Sequence, residues 1–288
     1  MDQAEKLRSL SRTKETRPEL NHARVFTITS GKGGVGKTNF SVNLALFFAK
    51  QGKKVIIIDT DIGLANIEIL LGSSPKYNLF DLFSQDGISI EDIINTTKYG
   101  VSFISGGSGL NRMPELGHNQ INHIIENLSK LDYIADVIII DTGAGISELV
   151  LNFIKASSET IIVTVPEPTS ITDAYSLMKA LKNDNLGSLP EFKLVVNRVD
   201  SRAEGEAIYR SFSKVAEGFL DVKIELLGSI LYDNNLIKSV KSQKPAFNIY
   251  PNSNFSKEIE SIGLKLLNIK EAKGMQNFIK SFASIFRK

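Results

Sequence analysis

SGKGGVGKT, residues Ser30–Thr38, satisfies the phosphate-loop pattern G-x-x-x-x-G-K-[ST] through Gly31, Gly36, Lys37 and Thr38. The residues before it, VFTIT (Val25–Thr29), read as a strand, and those after it carry apolar residues at helical spacing. A glycine-rich turn between a strand and a helix lets backbone N–H groups converge on phosphate oxygens at a helix N-terminus, where the dipole also favours anions. Gly31, Gly33, Gly34, Val35 and Gly36 are the expected cradle. Lys37 is expected to reach the β- and γ-phosphates, and the Thr38 hydroxyl to ligate Mg²⁺. One phosphate tail needs one lysine, yet the stretch carries a second, Lys32.

Outward from this turn, short β-branched runs alternate with longer segments of helical period. The runs are Val55–Asp59, Val101–Ser105, Val137–Asp141, Thr160–Val165, Lys193–Val199 and Ile224–Ile230. Strands apolar on both faces and separated by helices imply a mostly parallel sheet covered on both sides, a doubly wound α/β fold of the P-loop NTPase type. From Thr38 to Lys50, Phe40, Leu44, Phe47 and Phe48 fall near one face, and Gln51-Gly52 follows as a helix stop. Ile171, Ala174, Leu177, Met178 and Leu181 form another apolar stripe, read as core.

A magnesium-bound triphosphate needs acidic residues at strand ends nearby. Asp141 closes the run from Val137 at the carboxyl edge of the sheet, where ligands bind in such folds. Asp59 and Asp61 close another, and carboxylates spaced by two point to the same side of an extended chain. One can hold a magnesium-bound water while the other orients the attacking water.

The chain has 288 residues and no cysteine, which excludes disulfides, thiolate metal sites and iron–sulfur clusters. Its net charge of +2 supplies no global field for holding nucleic acid, and no specific nucleic-acid partner is expected. The polar N-terminus has no apolar segment of the secretory kind, and a cytoplasmic location is expected.

The lysine after the first glycine in KGGVGKT, the segment IDTDIGLANIEILLG (Ile58–Gly72) and IIIDTGAG (Ile138–Gly145) together resemble the deviant Walker-A ATPases of the MinD/ParA family. The resemblance runs from about Val25 to Leu267. PKYNLFDLF (Pro75–Phe83), DTGAGIS and VPEPTSITDAYSLMKAL (Val165–Leu181) look most like the flagellar-regulator branch, FlhG or FleN. The resemblance implies an ATP-hydrolysing switch with ATP and Mg²⁺ as cofactors, acting as a homodimer in the ATP state. Lys32 would then cross to the partner's phosphates, Asp61 would position water beside Lys37, and Thr38, Asp59 and Asp141 would support the metal. VVNRVD (Val195–Asp200) resembles the stretch whose asparagine reads adenine, which makes Asn197 and Arg198 candidates for the base. An Asn197 that merely caps a loop is the alternative.

Two terminal segments extend the reading. Residues 271–288 carry Phe278, Ile279, Phe282, Ile285 and Phe286 on one helical face fringed by Lys and Arg, the pattern of a helix lying in a membrane interface. So short a helix is marginal in water, so it is expected to order on contact with lipid on the inner face of the cell membrane. The same stripe packed on the domain is the other reading. Residues 1–24 form an arm in which Asp2, Gln3, Ala4, Leu7 and Arg8 resemble the segment by which FlhG proteins stimulate the FlhF-type SRP GTPase; residues 25–270 form the ATPase domain. The function implied is control of flagellar number or placement, with flagellar basal-body or switch proteins as further partners. A MinD-type division-site ATPase and an ATP-gated scaffold whose hydrolysis is incidental are the alternatives.

Overall fold

The computed structural model describes residues 23–61, 66–79, 81–84, 87–107, 118–183, 189–268 and 274–286. Asp2, Gln3, Ala4, Leu7 and Arg8 lie outside the described residues, as does the side chain of Phe286. The strands are β1 (Arg24–Ser30), β2 (Val55–Asp59), β3 (Asn95–Thr96), β4 (Ser102–Ile104), β5 (Val137–Ala144), β6 (Glu159–Thr164), β7 (Glu191–Val199) and β8 (Ile224–Leu231). The helices are α1 (Lys37–Lys50), α2 (Asn66–Leu71), α3 (Asp81–Ser84), α4 (Ile90–Ile93), α5 (His118–Ile134), α6 (Glu148–Ala156), α7 (Pro168–Asn183), α8 (Arg202–Leu220), α9 (Asn234–Lys241), α10 (Ala246–Ile249), α11 (Asn254–Asn268) and α12 (Met275–Phe286).

The strands form one sheet in the order β3-β4-β2-β5-β1-β6-β7-β8, parallel throughout except for the β3–β4 edge pair. Alternate residues of each strand enter opposite cores. Ile57 and Ile139 pack with Phe40, Phe47 and Phe48 of α1 and Ile259 and Ile262 of α11, whereas Ile56, Ile58, Ile138 and Ile140 pack on the other face with Leu128 of α5. Ala174, Leu177, Met178 and Leu181 of α7 fill a third cluster with Ile162 and Leu194. Both faces of the sheet are therefore dry, which is why its strands read as continuous apolar runs.

The strand order places β1 between β5 and β6, and β5 also pairs with β2. In register, Asp59 lies opposite Asp141 and Asp141 opposite Ile28. At the carboxyl edge of the sheet Asp59, the last residue of β2, thus lies level with Asp141 of β5 and Ile28 of β1. At the opposite edge, Arg24 donates to both carboxylate oxygens of Glu159 at 2.7 and 2.8 Å, and Lys193 Nζ lies 2.9 Å from the same carboxylate.

The C-terminal segment, expected to order on lipid, is a formed helix whose apolar face is already occupied. Met275, Phe278 and Phe282 are buried on α5 and α6. The rings of Phe153, Phe278 and Phe282 lie 5.4 to 6.5 Å apart, with Ile279 and Ile285 partly buried at the margin. The amide of Met275 donates to the carbonyl of Ala23, which ties the helix to the root of β1. Among the described residues no helix is long and apolar enough to cross a membrane.

Candidate functional site

The turn from Ser30 to Thr38 closes over the end of β1. Gly34 and Gly36 have φ of 77° and 95°, the left-handed region that glycine enters without penalty. Gly36 is the residue on which α1 begins, and no side chain caps that helix. The N–H groups of its first turn are left for an anion. At Gly31 a Cβ would lie 2.2 Å from the backbone of Asp173 in α7, so close approach rather than φ requires glycine there. Gly33 and Gly34 face solvent, and Val35 is buried. The cavity beneath the loop has a volume of about 470 Å³, and Lys37, Thr38, Asp61, Ile69, Arg198 and Val240 are among the residues that line it.

Asp141 is fully buried beneath this cavity. Ser41, one helical turn after Lys37, donates to its Oδ1 at 2.8 Å, while Oδ2 has no hydrogen-bond partner. Burial raises its carboxyl above the ordinary range, against the opposing effect of the Lys37 charge and the Thr38 and Ser41 hydroxyls. Asp59, alongside, is pushed up to about 7 by burial and by the Asp141 charge, although its Oδ1 accepts the amide of Asp61 at 3.0 Å. Two adjacent carboxyls that resist ionisation, one with an orphaned oxygen, fit a site completed by a cation. A cluster of three acidic or histidine ligands is absent among the described residues, so a cation held here would take further ligands from bound phosphate and the Thr38 hydroxyl.

Asp61 is partly exposed at the cavity wall, where Gly143, near the end of β5, approaches it: a Cβ at that glycine would lie 3.3 Å from its Oδ1. Gly145 donates its amide to the carbonyl of Ser30 at 2.9 Å, which joins the loop after β5 to the foot of the phosphate turn. The candidates Lys37, Thr38, Asp59, Asp61 and Asp141 are thus brought together.

Lys32 stands apart from them. Its Nζ bonds Glu167 at 2.6 Å and Thr169 Oγ1 at 3.1 Å, with the lysine side chain 40% and the glutamate 54% exposed. This contact holds Glu167 below the usual carboxylate range. Within one subunit Lys32 therefore points to the N-terminal turn of α7. Asn197 is 2% exposed and bonds the phosphate turn itself, its Nδ2 donating to Val35 O at 2.7 Å, whereas Arg198 is exposed at the cavity. Sequence reasoning missed Ser41, Glu167 and Thr169. Ser41 was findable one turn beyond Lys37, but the 135-residue gap between Lys32 and Glu167 leaves no local signal.

The ParA family profile, described as NUBPL iron-transfer P-loop NTPase, matches residues 21–267. The iron-transfer part of that description finds no thiolate in a chain without cysteine. The chain is 36% identical to "Antiactivator FleN" of Pseudomonas aeruginosa over 86% of its own length and 87% of the relative's. It is 32% identical to "Flagellum site-determining protein YlxH" of Helicobacter pylori, over 100% of this chain and 97% of that one. Among solved structures it resembles the septum site-determining protein MinD of Pyrococcus horikoshii, complexed with Mg-ADP. That match has a TM-score of 0.65 and 25% identity, covering 87% of this chain and 99% of the other.

Proposed function

Because this chain belongs to the ParA family of P-loop NTPases, in its MinD- and FleN-related part, and is an ATPase that uses Mg²⁺, we propose that it is a switch controlling flagellar number or placement. The observation that carries this reading is the extent of similarity to a flagellum site-determining protein: it spans the whole chain, the N-terminal arm and the C-terminal helix included.

In the proposed cycle two copies meet across their phosphate turns when ATP is bound. Lys32 exchanges Glu167 for the partner's phosphates, and its charge acts in a site from which dimerisation has removed water. Lys37 and Thr38 hold phosphate and metal, Asp59 and Asp141 support the metal, and Asp61 orients the attacking water. The α12 helix leaves its groove and lies on the inner face of the cell membrane through Phe278, Ile279, Phe282, Ile285 and Phe286. Undocking exposes three buried side chains, at a cost of roughly 5 to 9 kcal/mol as an upper figure. Burial in lipid offsets most of that, and two copies on one dimer add avidity of about 10² or more. The arm, through Asp2, Gln3, Ala4, Leu7 and Arg8, engages an FlhF-type GTPase, and switch proteins of the flagellar base are the second class of partner.

The test is sedimentation of Asp61→Ala protein with saturating ATP and Mg²⁺, with and without anionic liposomes. The reading requires a dimer in solution and pelleting that depends on ATP. A solitary, unpelleted chain under both conditions overturns it.

A further inference from the structure

Strand β7 reaches the phosphate turn through a single buried amide. Asn197 Nδ2 donates to the carbonyl of Val35 at 2.7 Å, across 162 residues of chain, and its Oδ1 accepts the amide of Arg198 at 2.9 Å. The two partners fix the amide's orientation, since a carbonyl only accepts and a backbone N–H only donates. Val35 lies between the two left-handed glycines of the turn, Gly34 and Gly36. Gly36 packs so closely on the amide that a Cβ would come within 2.6 Å of Nδ2. Arg198 is itself left-handed at φ 59°, a conformation that a non-glycine residue holds at a cost, and its side chain lines the cavity.

We propose that Asn197 is a positioning residue for phosphate binding. Its amide holds the Val35 carbonyl back from the cavity, so that the N–H groups that follow are aimed before the nucleotide arrives. It also pins the strained backbone that presents Arg198 to the cavity. These two bonds use one N–H and one Oδ1 lone pair of an amide that is 2% exposed, and leave its second N–H and second lone pair for a base. This adds to the adenine-reading role that the VVNRVD resemblance implies and does not replace it. The inference rests on nucleotide binding alone, not on the dimer or membrane cycle, so either can fail without the other.

The experiment is calorimetric titration of full-length wild type, Asn197→Ala and Asn197→Ser with three ligands in Mg²⁺: ADP, IDP, which lacks the exocyclic amine, and inorganic tripolyphosphate. A bracing role predicts that both variants weaken tripolyphosphate, which has no base to read, by roughly tenfold, and weaken ADP and IDP by at least that factor. Serine is the milder change, able to accept from Arg198 but too short to reach Val35, and it carries the readout if the alanine variant does not fold. Unchanged tripolyphosphate affinity in a folded variant overturns the proposal, most plainly when ADP affinity has fallen to that of IDP.

Discussion

Replacing Phe153 by alanine separates docking of the C-terminal helix from its affinity for lipid, because Phe153 belongs to the groove and not to the helix. Its ring is 6% exposed and lies 5.4 Å from Phe282 and 6.5 Å from Phe278. Truncating a buried phenylalanine costs about 3 to 5 kcal/mol. The ring also packs within the core cluster that contains Val25 and Ile140, so part of the loss destabilises the domain itself. If about 3 kcal/mol falls on the docking equilibrium, the undocked population rises by roughly 10²-fold. Liposome co-sedimentation with ADP, where wild type is expected in the supernatant, should then show the variant pelleting without ATP. Phe282→Ala is the counterpart that weakens docking and lipid burial together, and it should not gain pelleting. A cycle of the two single variants and the double variant, read by denaturant midpoint, should give a coupling of about 1 kcal/mol or more. The reasoning is refuted if Phe153→Ala pellets no better than wild type while its thermal midpoint falls as expected.

Three further outcomes follow from the site and the core. Lys32→Ala should keep ADP affinity within about twofold yet lower the rate of phosphate release by roughly 10² or more, because one preorganised charge is lost from the transition state; an unchanged turnover rate would remove the trans-acting role. Asp59 is raised from 3.8 to about 7, so its burial favours the fold below pH 4 and that contribution is lost as pH rises through 7. Asp59→Asn should therefore stabilise the nucleotide-free protein at pH 8, by up to about 4 kcal/mol, and hardly at all at pH 4; a thermal midpoint gain independent of pH contradicts this. Glu159→Ala removes the buried carboxylate shared by Arg24 and Lys193, leaving Arg24 the Leu266 carbonyl and Lys193 the exposed Glu191, and should cost about 3 kcal/mol by urea denaturation. Burial alone would raise the Glu159 carboxyl, but Arg24 and Lys193 hold it below 4.5, so its contribution is present above pH 4.5 and lost as pH falls below it.

The parts of the fold legible in the sequence are those set by neighbours along the chain. Val55–Asp59 is both the apolar run and the strand, and the α1 stripe of Phe40, Leu44, Phe47 and Phe48 is buried in full. Strand β3 was not legible, because Asn95 and Thr96 carry no apolar alternation and exist as a strand only through pairing with Phe103 and Ser102. The same limit divides the site. Motif spacing pointed to Lys37, Thr38, Asp59 and Asp141, but the Lys32–Glu167 and Asn197–Val35 contacts join residues 135 and 162 positions apart. The apolar stripe of α12 was visible and its partner was not, since a face that fits lipid and a face that fits α6 have the same spacing.

The path between the bound nucleotide and the docked helix is short in the chain. β5 carries Asp141 and ends at Ala144, and α6 begins at Glu148, capped by the Ser147 side chain, so Gly145, Ile146 and Ser147 alone separate the metal-side strand from the helix that makes the groove. Gly145, at φ 91°, is held to Ser30 at the foot of the phosphate turn, while Ile146 is 55% exposed and unconstrained by a core. On the proposed cycle, closure around a γ-phosphate draws this loop toward the phosphate turn, and the first turn of α6 must follow it. Phe153 lies one and a half turns further on, against Phe282. A packed contact of this kind loses about a quarter to a half of its dispersion energy over a gap of roughly 0.5 to 1 Å. On that cycle a small shift at the phosphate would favour release of α12 without any change in the helix itself. Gly145→Ala, which strains the left-handed hinge, should accordingly disturb ATP-dependent pelleting more than ADP binding. Equal losses in both would place the coupling outside this loop.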